Sequence, residues 1–353
     1  MTSLLKVSNK ACSLYAATVG KYSGHDIILC YHSVRDINRP IRGWLGSSRS
    51  LDSIVFDRQM SWLSSVAEVV SLSELLQRPR TGTRIRVAVT FDDGYFDNID
   101  VAMPILRQYG IPITWFVATD FIDNADLVPW WDLIDLTLAE CYEPVEFTVD
   151  GIKGIYDPTV VADRQWLNTR LRMILKSTGL LQRDAIIEDM RYAISRQYTL
   201  PTNSYAREEE IKSVLQGGDI ELGGHTGSHP NVALCSSDEL KAEINRGKIR
   251  LEKISGQSLN WFAYPFGGRG AFSPSAAKAV QEAGFNGACS LVSGTVSMKT
   301  EKYMIPRYAI SPNMTMETFK ARVLGAPLYA GLESLRSSIS MSSVRKYGKG
   351  FVG

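Results

Sequence analysis

Two carboxylates stand side by side at the end of RIRVAVTFDDG, as Asp92 and Asp93, and two imidazoles stand four apart in GGHTGSHP, as His225 and His229. Adjacent carboxylates repel and raise each other's pKa, so the pair needs a reason, and a cation supplies one. Two histidines and one aspartate make a three-ligand set suited to zinc or a similar divalent ion, with a coordination position left for water. That set uses one aspartate and leaves the other free to act as a base. Plainer readings exist: Asp-Gly is a common turn, Asp93 could cap the following helix, and histidines can decorate a loop. Imidazoles four apart converge if the segment turns helically, with Gly223 and Gly224 permitting a sharp turn and Pro230 ending it.

These side chains need a frame. DIILCYHSV (26–34) reads as a strand with His32 near its exit, and SLDSIVFDRQMSWLSSV (50–66) as a helix behind Asp52 with Ile54, Met60, Leu63 and Val66 on its apolar stripe. EVVSL and RIRVAVTF are further strands. YFDNIDVAMPILRQYGIP is a helix stopped by Gly110 and Pro112, in which Pro104 marks a kink or a late start. ITWFVAT follows as a strand. The alternation breaks at 124–206, where a hairpin, VEFTVDGIKGIYD, and mostly helical sequence form an insertion. It then resumes with DIELGGHT, a long helix from Ser-Asp to Gly256, NWFAYPFG, SPSAAKAVQEAG, FNGACSLV and YMIPRYAI. Seven or eight strand–helix steps predict a parallel α/β barrel whose strand ends carry both motifs. The expected boundaries are a capping segment at 1–25, the barrel at 26–123 and 207–318, the insertion at 124–206 over the active-site rim, and a basic tail at 319–353.

The 353 residues carry a net charge of +2, so the balance does not suggest a nucleic-acid partner. Five scattered cysteines, without a C-x-x-C pair, favour a reducing compartment over a disulfide framework. No run approaches the ~20 apolar residues of a membrane span. The semi-apolar N-terminus reads as a capping helix rather than an export signal, which points to a cytoplasmic protein. From Lys320 onward six basic residues face Glu333 alone; they are either a solvated tail or a peripheral contact with an anionic membrane surface at its inner face.

TFDDG, HTGSHP and FAYPFG together resemble the first three motifs of the polysaccharide deacetylases, the NodB-homology family (carbohydrate esterase family 4), over about residues 26–122 and 219–310. The resemblance implies a distorted (β/α) barrel of seven or eight strands and removal of N-acetyl groups from sugars. It implies a divalent ion, zinc ahead of cobalt, nickel or manganese, held by Asp93, His225 and His229, with Asp92 as catalytic base. It further implies that the Phe266 N–H, beside Tyr264, serves the oxyanion or the substrate. Two positions depart from the pattern. Ala263 stands where an arginine usually steadies the base, and the closing strands lack the usual general-acid histidine. Arg307 is the candidate replacement for the first. His32 is the candidate for the second, because first and last strands are neighbours in a closed barrel and some members look circularly permuted with an early Tyr-His strand. In PWWD, Trp130 and Trp131 either stack on a sugar or anchor the insertion, and Asp132 either bonds a hydroxyl or tunes the site.

The expected activity is metal-dependent N-deacetylation of an amino sugar in a polysaccharide, oligosaccharide or lipid-linked glycan precursor. The alternatives are an O-acetyl esterase or other C–N hydrolase on the same site, and a degenerate glycan-binding protein.

Overall fold

The computed structural model describes residues 26–36, 38, 50–124, 126–196, 198, 199 and 204–324. The expected capping segment and the tail beyond residue 324 lie outside the described residues. The strands are β1 (Asp26–Tyr31), β2 (Ser33–Arg35), β3 (Ser50–Asp52), β4 (Glu68–Val69), β5 (Arg86–Phe91), β6 (Ile113–Val117), β7 (Val145–Val149), β8 (Ile152–Tyr156), β9 (Ile220–Gly224), β10 (Trp261–Ala263), β11 (Gly287–Cys289) and β12 (Tyr308–Ala309).

The strands DIILCY and RVAVTF are buried at every residue, as expected for parallel strands covered on both faces. Seven strands follow one another in a curled, all-parallel sheet, β11-β10-β9-β6-β5-β1-β12, a distorted (β/α) barrel. β4 joins β5 at Arg86 and Val87, on the stretch before β6 pairs with Val89–Phe91. The expected neighbourhood of first and last strands is present: Leu29 pairs with Tyr308 and Cys30 with Ala309. The approach to β12 also touches the other edge, through Ser290 N–H to the Ile305 carbonyl (2.8 Å) and Ile305 N–H to the Ala288 carbonyl (2.9 Å). One short segment therefore contacts both edges of the sheet.

Several elements depart from expectation. The run 26–34 is two strands, broken at His32, so this residue sits in a gap rather than within a strand. Asp52 does cap helix Ser53–Val66, accepting from the Ile54 N–H at 2.7 Å. The buried stripe is Phe56, Gln59, Met60 and Leu63, however, and Ile54 is exposed; Gln59 turns inward because it accepts the Tyr31 hydroxyl at 2.8 Å. The expected helix after TFDDG begins late, as a π-helical turn at Asn98–Ala102 followed by Met103–Gln108, with Pro104 in the first turn, where its missing N–H costs least. Helix Met316–Val323 buries Phe319 and Val323, so the chain expected to be tail from 319 is still packed against the core there.

The insertion contains the β7–β8 hairpin and helices at Trp130–Glu140, Val161–Gln165, Arg172–Ser177 and Leu180–Ser195. It buries its own apolar cluster, which includes Trp130, Trp131, Phe147, Leu171 and Met190 together with Tyr95 and Tyr205. No helix among the described residues is long and apolar enough to cross a membrane.

Candidate metal centre

Parallel strands aim their carboxyl ends at one rim, and the chemistry-bearing residues leave the sheet there. Asp92 and Asp93 follow β5 directly, His225 follows β9, and His32 follows β1. Asp93 Oδ1 lies 3.4 Å from His225 Nε2 and 3.2 Å from His229 Nε2. These separations match the edge of a tetrahedron, about 3.4 Å, whose centre-to-vertex distance is a zinc–ligand bond of about 2.1 Å. His225 Nδ1 contacts the Ala263 carbonyl at 2.7 Å; with its proton there, Nε2 carries the lone pair. Asp93 Oδ2 is buried without a hydrogen-bond partner. An orphaned carboxylate oxygen beside two converging imidazoles suits a divalent cation, and these three residues fit one.

Backbone strain collects at this rim. Among the described residues five other than glycine have positive φ, and four of them are Asp93 (76°), Thr226 (67°), His229 (57°) and Phe266 (62°). L-residues adopt this region at a cost, and it persists where surroundings over-determine it. The H-x-x-x-H segment is therefore not a helical turn, contrary to expectation: left-handed residues bend it, and the His229 N–H donates to Thr226 Oγ1 at 3.1 Å. Glu243, from helix Ser237–Ser255, accepts the N–H groups of Gly227 (3.1 Å) and Ser228 (2.8 Å) and the Ser228 hydroxyl (3.2 Å). The N–H groups of Thr119 and Asp120 reach the carbonyls of Thr226 (3.3 Å) and Gly227 (3.1 Å).

Asp92 is held apart from the ligands by its own partners. Arg307, fully buried, donates from Nη1 to Oδ1 and from Nη2 to Oδ2, both at 2.7 Å. The same guanidinium donates to the Ser290 carbonyl (3.1 Å) and to Thr90 Oγ1 (3.1 Å), and it lies 5.2 Å from the Phe116 ring centre. Burial, the largest single influence, favours the neutral acid at Asp92, but the charge and hydrogen bonds of Arg307 together with the nearby His225 and His32 outweigh it and hold the carboxyl below the usual range. The Cys30 thiol, pushed well up by burial, stays protonated and donates to Asp92 Oδ2 at 3.3 Å. His32, Cys30 and Asp92 offer donor atoms within 4.8 Å of one another. Asn98 fixes the His32 backbone, donating to its carbonyl at 2.7 Å while accepting the Trp115 indole N–H at 2.9 Å.

A polysaccharide deacetylase family model matches residues 80–149 and 185–288, which include Asp92, Asp93, His225, His229 and Phe266. The chain carries a polysaccharide deacetylase domain. YxkH of Bacillus subtilis (strain 168), described as a polysaccharide deacetylase, is 20% identical over 300 residues, 84% of this chain and 75% of that protein. Among solved structures, the deacetylase PplD of Streptococcus pyogenes in complex with acetate superposes with a TM-score of 0.53 at 16% identity, over 83% of this chain and 96% of that one. The de-N-acetylase of Aggregatibacter actinomycetemcomitans gives 0.55 at 16%, over 84% and 99%. At these identities the superpositions speak for the fold.

Other residues expected on the substrate side of this deacetylase-domain rim fare differently. Phe266 is half-buried, and its N–H has no acceptor among the described residues; the Gly267 N–H returns to the Pro265 carbonyl at 2.8 Å, a γ-turn that holds the strain. Tyr264 is a correction: it is wholly buried, stacks on Phe272 and donates to the Tyr303 carbonyl at 3.0 Å. Its side chain packs the core and offers no surface to a ligand. Trp130 and Trp131 are buried too, within the insertion's own apolar cluster, an arrangement that suits the anchoring role. Trp131 packs edge-on against His229, with ring centres 4.7 Å apart, and donates to the Tyr95 hydroxyl at 2.8 Å. Asp132 is buried and accepts the hydroxyls of Tyr95 (3.4 Å) and Tyr205 (3.2 Å). Cys30, Asn98, Arg183 and Glu243 escaped the sequence reading; nothing in their local sequence distinguishes them.

Proposed function

We propose that this chain is a divalent-metal-dependent hydrolase that removes N-acetyl groups from an amino sugar in a polysaccharide, oligosaccharide or lipid-linked glycan precursor. What carries the reading is the convergence of Asp93, His225 and His229 beside an aspartate, Asp92, that is ionised and oriented by a separate arginine. Zinc suits the donor set best, with cobalt, nickel or manganese as substitutes. Such an ion supplies Lewis acidity: it polarises an acyl oxygen and brings the pKa of water down toward ~7.

The chain's own groups supply the rest. Asp92 takes the proton of the attacking water. Oδ2 is occupied by Arg307 Nη2 and the Cys30 thiol, while among the described residues Oδ1 receives only Arg307 Nη1, so Oδ1 keeps capacity for that proton. The Phe266 N–H, held in its γ-turn and without an acceptor among the described residues, is available to the oxyanion that develops on the acetyl carbonyl. His32, at the break between β1 and β2, donates a proton to the leaving amine nitrogen; its backbone is fixed by Asn98 while its side chain is half-buried.

The test is acetate release from N-acetylated amino-sugar oligomers by purified protein loaded with Zn²⁺ or Co²⁺, with O-acetylated esters compared in parallel. Asp92→Asn is expected to bind metal as the wild type does and to lose at least ~10²-fold in turnover. Full activity in that variant removes Asp92 as the base, and ester turnover without amide turnover moves the substrate class.

A further inference from the structure

The strained loop that carries both imidazoles is gripped from two sides, and the second grip comes from outside the barrel. Arg183 belongs to helix Leu180–Ser195 of the insertion and is 5% exposed. Its Nη1 donates to the carbonyl of His229 at 3.2 Å and its Nη2 to Ser228 Oγ at 3.3 Å. Asp184 accepts from the same guanidinium at 2.9 and 2.7 Å, and its own side chain is 56% exposed, so it steadies Arg183 from the solvent side. On the opposite side Glu243 holds Gly227 and Ser228. His229 itself has a φ of 57°, a conformation that relaxes unless neighbours enforce it. A buried, charged donor on its carbonyl is such an enforcer, since charge-assisted hydrogen bonds are about twice as strong as neutral ones.

We propose that Arg183 is a positioning residue for the metal centre, through which the insertion sets the direction of the His229 imidazole and hence metal affinity. The inference rests on the metal-dependent reading above. It assigns the insertion a share in building the ligand set, beyond any role in covering substrate. Trp131, whose ring edge meets the same imidazole and whose N–H reaches Tyr95 two residues after Asp93, ties the insertion to the second ligand loop as well.

The test uses the full chain, stripped with a chelator and titrated with Co²⁺, reading the visible absorption of the bound ion and the dissociation constant by competition. Arg183→Met keeps the apolar stem and removes the donors; it is expected to bind Co²⁺ ~10–100-fold more weakly, with a changed spectrum. Arg183→Lys should fall between Met and wild type, and Asp184→Asn should stay close to wild type. A purely structural role would lower the melting temperature of the metal-free protein and leave the Co²⁺ spectrum and affinity of the folded variant unchanged. That result, in Arg183→Met or, should this not fold, in Arg183→Lys, overturns the proposal. Wild-type protein that takes up no Co²⁺ defeats the metal-dependent function instead, so the two failures are distinguishable.

Discussion

Asp97 is a buried acid on the same rim, apart from the proposed ligands. Its carboxyl accepts the Ser33 hydroxyl, and Asn98 Nδ2 at 2.9 Å, yet burial pushes it up to about 7. An unfolded aspartate titrates near ~3.9, so between these values the native state holds a proton that the unfolded chain has lost. The contribution to stability is complete below about pH 3.9, shrinks as pH rises and is gone above pH 7, a change of at most about 4 kcal/mol. Asp97→Asn, neutral throughout, should flatten this decline: urea midpoints at pH 5 and pH 8 should differ less in the variant than in the wild type. Equal differences would mean that Asp97 is ionised at both. Residues in contiguous motifs (Asp92, Asp93, His225, His229) were legible because type and spacing carry the chemistry. Arg307 and His32 were reachable only through a topological argument. Glu243 and Arg183 were not, because their partners lie 15 to 46 residues away. Tyr264 was misjudged, and PWWD was left open between two roles, because aromatic sequence does not state its own exposure.

At the scale of elements, helix Ser237–Ser255 was fully legible: Ser236 and Glu239 form a capping box, and Gly256 ends it at a φ of 68°. Its functional content was not, since that depends on what it packs against. Gly247 lies where a Cβ would come within 2.7 Å of the Thr226 carbonyl oxygen and 2.8 Å of its carbon, both backbone atoms that cannot turn aside. Gly247→Ala, favourable by helix propensity alone by ~1 kcal/mol, should instead push the helix off the histidine loop. The expected outcome is a protein that keeps its helical circular dichroism while binding Zn²⁺ at least ~10-fold more weakly. A variant more stable than wild type with unchanged zinc affinity would show that the loop absorbs the methyl group. The break of 26–34 at His32 was illegible for a related reason: β2 leaves the sheet to pair with β3, a partner 17 residues on.

At the scale of the molecule, the proposed ligands come from two strands that are not neighbours in sequence, β5 and β9, with β6 and the insertion between them. A bound ion therefore cross-links parts of the chain that lie far apart in sequence. Ion at 100 times its dissociation constant should add ~2.7 kcal/mol. Calorimetry of zinc-loaded against chelator-treated protein should show a melting temperature higher by a few degrees, and Asp93→Ala should abolish the difference. Identical melting of loaded and stripped wild type would count against a resident ion.

The pairing of β1 with β12 also governs when the site comes into being. Arg307 is 215 residues beyond Asp92, and Tyr308 is the partner of Leu29 near the start of the described chain. A nascent polypeptide must be extended past residue 307 before the guanidinium reaches its aspartate. Until then the carboxylate lacks the Arg307 counter-charge and its burial is unfavourable, so barrel closure and assembly of the proposed base belong to one event that follows synthesis of residue 307. Chains released short of residue 307 should consequently be both open and inert.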